Sequence, residues 1–410
     1  MEWSVSNMKN WLRKLYNPHA LIVTVLIFAF IYVFQFFFLN MHFLDPFNYG
    51  VKDYEVTDII FSQFKDPTEY GLVEEIILIN AGPNPPRTRM DSLLRRIHQL
   101  EPAVVGLDIL FSEEQDPVID STLQSTIKSF PKIILANTFK SYDAEKKKLA
   151  DPEGCIPQFC EGQSVGYLNF VSEENTTVRL FAPTVKTDQG PYTSFSAKIA
   201  QAYAPERVDD LLRRKNKVEQ INYIGSTLTG NFLKYDYRQL LDSAAFERIL
   251  KQNQLAGKMV LIGFVGNHQP GDPELDRFFT PLNPKYTGRS LPDMYGIEIH
   301  ANIIHMIMEG NYIYEVPTWL LEIIGWLYCY INVILIRRIY FQLPDTFHGL
   351  TRLVQIGEFL LIFFLIALLF YSFQVKIEFS RGILSMALAY DFVMIYESFI
   401  RKKVKHLQTF

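Results

Sequence analysis

Cysteine is scarce, with three in 410 residues, and no Cys/His cluster has zinc-site spacing. No H-E-x-x-H, nucleophile elbow or phosphate-cradling glycine loop occurs in the chain. No basic tract is long enough for a nucleic-acid footprint, and the net charge is −4, which argues against DNA or RNA as a partner. The sequence therefore offers no catalytic residue, no metal ligand set and no cofactor, and the expectation is a protein that is not an enzyme.

Apolar residues are abundant. They make up 49% of the chain, with 33 Phe, yet mean hydropathy is only +0.05, so they must be gathered in blocks. A bilayer core of roughly 30 Å needs about 20 apolar helical residues. Residues 20–39 meet that length without a charge, and no small-residue cleavage site follows. Three further runs lie at 317–336, 353–373 and 382–400. Lys9, Arg13 and Lys14 precede the first run, Arg337, Arg338 and Arg352 fill the second link, and Arg401, Lys402, Lys403 and Lys405 follow the last. With four spans all these clusters fall on one side, so the positive-inside rule makes residues 1–19 and 401–410 cytoplasmic and 40–315 external. Four ionisable residues lie within the spans: Glu322, Glu358, Asp391 and Glu397. Asp391 and Glu358 are candidates for intramembrane coupling; a hydrogen-bonded packing contact is the alternative for Asp391.

The external segment alternates short apolar strands with amphipathic helices. Strands are expected at 75–80, 103–110, 132–137, 165–171, 178–181, 221–224 and 258–264, and helices at 90–100, 118–129, 194–204, within 237–253, and at 296–309. The pattern predicts an α/β domain with a largely parallel or mixed sheet flanked by helices. Ligands in such sheets sit beyond the carboxyl ends of the strands. The candidate ligand-binding residues there are Asn80, Asp108, Glu113, Asn137, His268, Asp272 and Asp276. Asp and Asn are also ordinary cap and turn residues, so the same set fits a structural role. Cys155 and Cys160, five apart in a Gly/Pro-flanked loop, fit either a disulfide or two free thiols.

Five segments then occur in a recognisable order: 53–64; 101–113, with an Asp–x–x–Phe step at Asp108 and Phe111; 165–180, with a G-x-x-N-F step and a V-R pair; 257–263 followed by Asp276-x-Phe278-x-Thr280-Pro281-Leu282; and 295–310, with Gly296, Glu298, His300, Ala301 and Asn302. This order resembles CHASE2, an extracytoplasmic sensory module of bacterial transmembrane receptors. The resemblance covers 45–315, and three following helices match the usual layout. It implies a structural role for Glu298, His300 and Asn302 and a place in the bacterial inner membrane. Members often continue into a cytoplasmic output enzyme, whereas this sequence stops about ten residues past its fourth run. The expected function is a sensor or receptor subunit that acts through other proteins, with a scaffold subunit of an envelope complex as the alternative. The expected partners are the lipid bilayer, an unidentified membrane or envelope protein, a second copy in a homodimer, and a small external ligand.

Overall fold

The computed structural model describes residues 17–39, 55–143, 148–171, 176–188, 190–266, 276–283 and 291–401. The chain divides into two compact units. One is Glu55–Ile313; the other combines the flanking segments Met1–Tyr54 and Tyr314–Phe410.

The Glu55–Ile313 unit is built on a mixed sheet. Its six central strands are β1 (Val73–Asn80), β2 (Val104–Leu107), β3 (Ile133–Asp143), β4 (Ser164–Tyr167), β5 (Phe232–Asp236) and β6 (Met259–Gly263). They run parallel in the spatial order β5-β1-β6-β2-β3-β4. The far half of β3 pairs antiparallel with Lys148–Glu153, which leads into two further short strands. Parallel strands need helical crossovers, so both faces are covered, and β2 and β6 are apolar and buried throughout.

Alternate side chains of β1 show the division. Ile77 and Ile79 enter one core with Met90, Leu93, Leu94 and Ile97 of α1 (Arg87–His98) and Leu123 and Ile127 of α2 (Pro117–Ser129). Ile76 and Leu78 enter the other, with Phe195 and Ile199 of α3 (Phe195–Tyr203). Phe246 and Ile249 of α4 (Ser243–Gln252) join the first core, and Ile297, Ala301 and Ile304 of α5 (Gly296–Glu309) the second. Each fully buried Ile or Leu contributes about 1.5–3 kcal/mol of transfer free energy.

One expectation is corrected, and one strand was not expected. Residues 221–224 are buried but form no strand. Their backbone groups are met singly: Ile221 N–H donates to the Arg179 carbonyl at 2.8 Å and Ile224 N–H to Asn302 Oδ1 at 2.9 Å. The strand preceding α4 is instead β5, next to β1. It stands at one end of the strand order, as an edge strand with half-buried positions.

The second unit contains four helices long and apolar enough to cross a membrane: Pro18–Phe36, Thr318–Gln342, Phe347–Phe373 and Ser380–Ile400. Ala20, Val23, Ile27 and Phe28 of the first pack with Cys329, Val333 and Ile336 of the second and Ala389 and Val393 of the fourth. The third turns Leu353, Leu360 and Phe364 outward, as suits a lipid-facing surface.

Several polar groups within these helices are paired. Arg337 binds Glu397 at 2.7 Å with both side chains buried, and Asn17 Oδ1 accepts from Arg337 at 2.6 Å. The start of the first helix and the ends of the second and fourth therefore meet at one end of the bundle. Arg381 binds Glu322, which also accepts from the Tyr32 hydroxyl at 2.9 Å. Glu358 accepts from Asn332, whereas Asp391 lies 3.7 Å from Arg352. The sequence offers no arginine at the depth of Asp391; helix packing supplies one from the start of the third helix. A two-residue parallel ladder also joins Tyr314–Glu315 to Val375–Lys376.

Candidate functional site

The chain leaves β2 at Leu107, and Asp108 follows at its carboxyl end with its N–H donating to the Ile262 carbonyl of β6 at 2.8 Å. Here β6 is inserted between β1 and β2, so the chain order changes direction, which is the position that favours a ligand crevice in α/β sheets. A cavity of about 480 Å³ opens there, lined by Asp108, Asn169, Phe170, Asp276, Arg277 and His300 among others.

Three separate segments supply these groups. The segment after β2 brings Asp108. Phe111, three residues on, turns away into the first core and stacks on Phe159 at 4.7 Å, so the Asp–x–x–Phe step sends its two ends to opposite places. The segment after β4 brings Asn169 and Phe170. Asn169 Oδ1 accepts from Phe139 N–H at 3.0 Å and Nδ2 donates to the Phe139 carbonyl at 3.1 Å, while Phe170 lies 4.8 Å from the His300 ring. Gly166 starts this step because a Cβ would stand 2.5 Å from the Cα of Phe195; only glycine permits β4 and α3 to approach so closely.

The third segment joins Arg277–Phe278 to Met294–Tyr295 in an antiparallel ladder that delivers the chain into α5. Asp293 braces its turn, accepting from Thr280 N–H at 2.8 Å and Thr280 Oγ1 at 2.5 Å. Burial pushes the Asp293 carboxyl up to about 6 against the lowering effect of those bonds. Asp276 has φ 57°, a left-handed conformation uncommon for a residue with a side chain. Its carboxylate lies over the first turn of α5, where a Cβ on Gly296 would stand 2.9 Å from Oδ1 and 3.0 Å from Oδ2. Gly296→Ala should therefore displace the Asp276 carboxylate and lower stability by about 1–3 kcal/mol. A denaturation midpoint equal to wild type would contradict that crowding.

The first two turns of α5 divide their labour. Glu298 is fully buried and accepts from Tyr295 N–H at 3.0 Å, Thr227 N–H at 2.9 Å and Thr227 Oγ1 at 2.6 Å. Asn302 binds Ile224 N–H and, at 2.8 Å, the Gly225 carbonyl. Both pin the loop before β5. His300 instead faces the cavity, with Nδ1 2.8 Å from Ser196 Oγ. Burial pushes its imidazole down to about 3, so it is neutral at physiological pH.

Asp108 and Asp276 are close enough to titrate together. Asp108 is half-buried, and desolvation pushes its carboxyl up to about 7. Asp276 is an exposed residue with protein around most of its carboxyl; desolvation and then the Asp108 charge raise it as well. Two crowded carboxyls hold a proton near neutrality more readily than two isolated ones.

The other sequence candidates lie elsewhere. Asn80 donates to Asp236 at 2.8 Å and accepts from Gly82 N–H at 3.0 Å. Asn137 accepts from Thr138 N–H at 3.0 Å, and the Glu113 carbonyl accepts from Arg87. His268 and Asp272 fall outside the described residues. Among the described residues no group of three or more His, Cys, Asp or Glu is placed to hold a metal ion. Cys155 and Cys160 are disulfide-bonded, with their Cα atoms 5.9 Å apart. Arg277, Phe170 and Asp293 were not singled out from sequence.

The CHASE2 domain matches residues 72–336, well over half of the chain. The chain belongs to the CHASE2 domain family. CHASE2 domains are extracytoplasmic and sensory rather than catalytic, and the four long apolar helices make this member a membrane protein. The CHASE2 match covers every described group of the cavity and runs into the second apolar helix. Comparisons with curated proteins and with solved structures returned no match.

Proposed function

We propose that this CHASE2 protein is a receptor subunit whose cavity at Asp108, Asp276, Arg277 and His300 receives a small ligand, and whose four helices pass the event to a partner protein. One observation carries this reading: three chain segments far apart in sequence bring Asp108, residues 168–170, and residues 276–279 with Gly296 and His300 around one cavity. Structural turn residues have no reason to converge in that way. Charge distribution supports the bacterial inner membrane as the setting, with both termini cytoplasmic and the α/β unit external.

The test is purification of the full-length protein from its own membranes in mild detergent, with identification of the co-purifying chains. Gly296→Leu, which fills the cavity beside Asp276, should change either the partners recovered or their activity. Partners retained at fixed stoichiometry and unaffected by that substitution would favour a scaffold role and overturn the receptor reading.

A further inference from the structure

The cavity keeps opposite charges apart. Arg277 lines it beside the two carboxyls, yet among the described residues no ion pair joins Arg277 to Asp108 or Asp276. Its Nε is buried without a hydrogen-bond partner, and its guanidinium carbon lies 5.5 Å from the centre of the Tyr295 ring. A buried guanidinium N–H left unmet is unfavourable, and adjacent residues 276 and 277 could relieve it by pairing. An arrangement that holds them apart suits a ligand bearing both charges. Phe170, Phe278 and Phe279 supply apolar wall. A volume of about 480 Å³ is roughly sixteen water volumes at ~30 Å³ each, space for an amino acid with a sizeable side chain.

We propose that the cavity takes an α-amino acid with an apolar side chain, its carboxylate on the Arg277 guanidinium and its ammonium between Asp108 and Asp276. This rests on the reading of the cavity as the ligand site. The planar guanidinium fork suits a carboxylate through two parallel hydrogen bonds. An ammonium placed between two like-charged carboxyls removes their mutual repulsion. The phenylalanine walls then take the side chain, whose CH₂ groups leave water on burial.

The experiment is calorimetric titration of the full-length protein in lipid nanodiscs with three probes: L-leucine, its decarboxylated counterpart 3-methylbutylamine, and its deaminated counterpart 4-methylpentanoate. L-Leucine should bind at least tenfold more tightly than either half-ligand. Arg277→Gln should weaken leucine at least tenfold while leaving the amine unchanged, and Arg277→Lys should fall between. Asp276→Asn should weaken leucine and the amine alike. Protease resistance equal to wild type identifies the variants that remain folded.

An amine that binds as tightly as leucine would overturn the amino-acid assignment and leave the cavity as the ligand site. Absence of binding by leucine, with alanine and phenylalanine also silent, would overturn the assignment in the same way. Leucine binding untouched by Arg277→Gln, Asp108→Asn and Asp276→Asn would overturn the cavity reading itself.

Discussion

Replacing Arg179 with alanine is expected to lower the stability of the α/β unit by about 3–5 kcal/mol, the usual loss when one partner of a buried ion pair is removed. Arg179 donates to Asp58 from Nε at 2.8 Å and from Nη2 at 2.5 Å, and Asp58 is fully buried. Desolvation raises the Asp58 carboxyl even against the guanidinium. Without Arg179 that carboxyl becomes more basic still in the folded protein, while the unfolded chain keeps its ordinary value. The folded state then binds more protons than the unfolded state across the weakly acidic range, so stability falls as pH rises. The loss should be larger at pH 7 than at pH 4. Denaturant-dependent proteolysis of the full-length protein at the two pH values measures it, and an equal loss at both would contradict the argument. Hydrogen exchange should show residues 55–64 opening first, because Arg179 is what holds that segment's buried carboxylate.

The second large effect concerns Asp108. Its folded carboxyl is pushed up to about 7, against about 3.9 for an unfolded aspartate. Between those values the folded state holds a proton that the unfolded state has released, so stability declines as pH rises from about 4 to about 7. The group is fully protonated in both states below that window and ionised in both above it. Asp108→Asn cannot ionise, so it should flatten the decline and stabilise the unit by about 1–3 kcal/mol at pH 8. The charged and titratable neighbours lining the same cavity are Asp276, Arg277 and His300; the imidazole stays neutral throughout, and Asp276 sharpens the trend through its repulsion of Asp108. A stability curve that rises between pH 5 and 8, or an Asn variant less stable than wild type at pH 8, would contradict this assignment.

How far the fold could be read in advance depended on what each element buries. β1, β2 and β6 are apolar on both faces and bounded by turns, so composition alone identified them as strands of a parallel sheet. The faces of α1 and α5 were legible because Leu93, Leu94 and Ile97, or Ile297, Ala301 and Ile304, recur at helical spacing. β5 was missed because Lys234 and Asp236 break its apolar run, and residues 221–224 were misassigned because full burial imitates a strand's composition. Only side chains remote in sequence, such as Asn302, reveal how that backbone is satisfied.

The cavity was half legible. Asp108 and Asp276 stand at strand ends or in a recognisable motif, so their residue types and positions identified them. Asn80 and Asn137 carry the same signal but are consumed by local hydrogen bonds, a distinction that position along a strand cannot make. Arg277 gave no signal, because an arginine in a two-residue strand is ordinary until the carboxyls it avoids are placed around it. Phe170 and His300 were present in the recognised motifs, but only their convergence distinguishes a cavity wall from packing.

The small ladder between Tyr314–Glu315 and Val375–Lys376 has a mechanical meaning. Tyr314 N–H donates to the Gln374 carbonyl at 2.9 Å and Val316 N–H to the Lys376 carbonyl at 3.1 Å, while Lys376 reaches Glu315 at 3.8 Å. Residue 314 is where the chain arrives from the α/β unit, and 374–376 is the bend between the third and fourth helices. A pull or twist on Tyr314 must therefore either rupture those bonds or drag that bend with it. The ladder works as a yoke: one strand of chain enters, and three helices receive the load together.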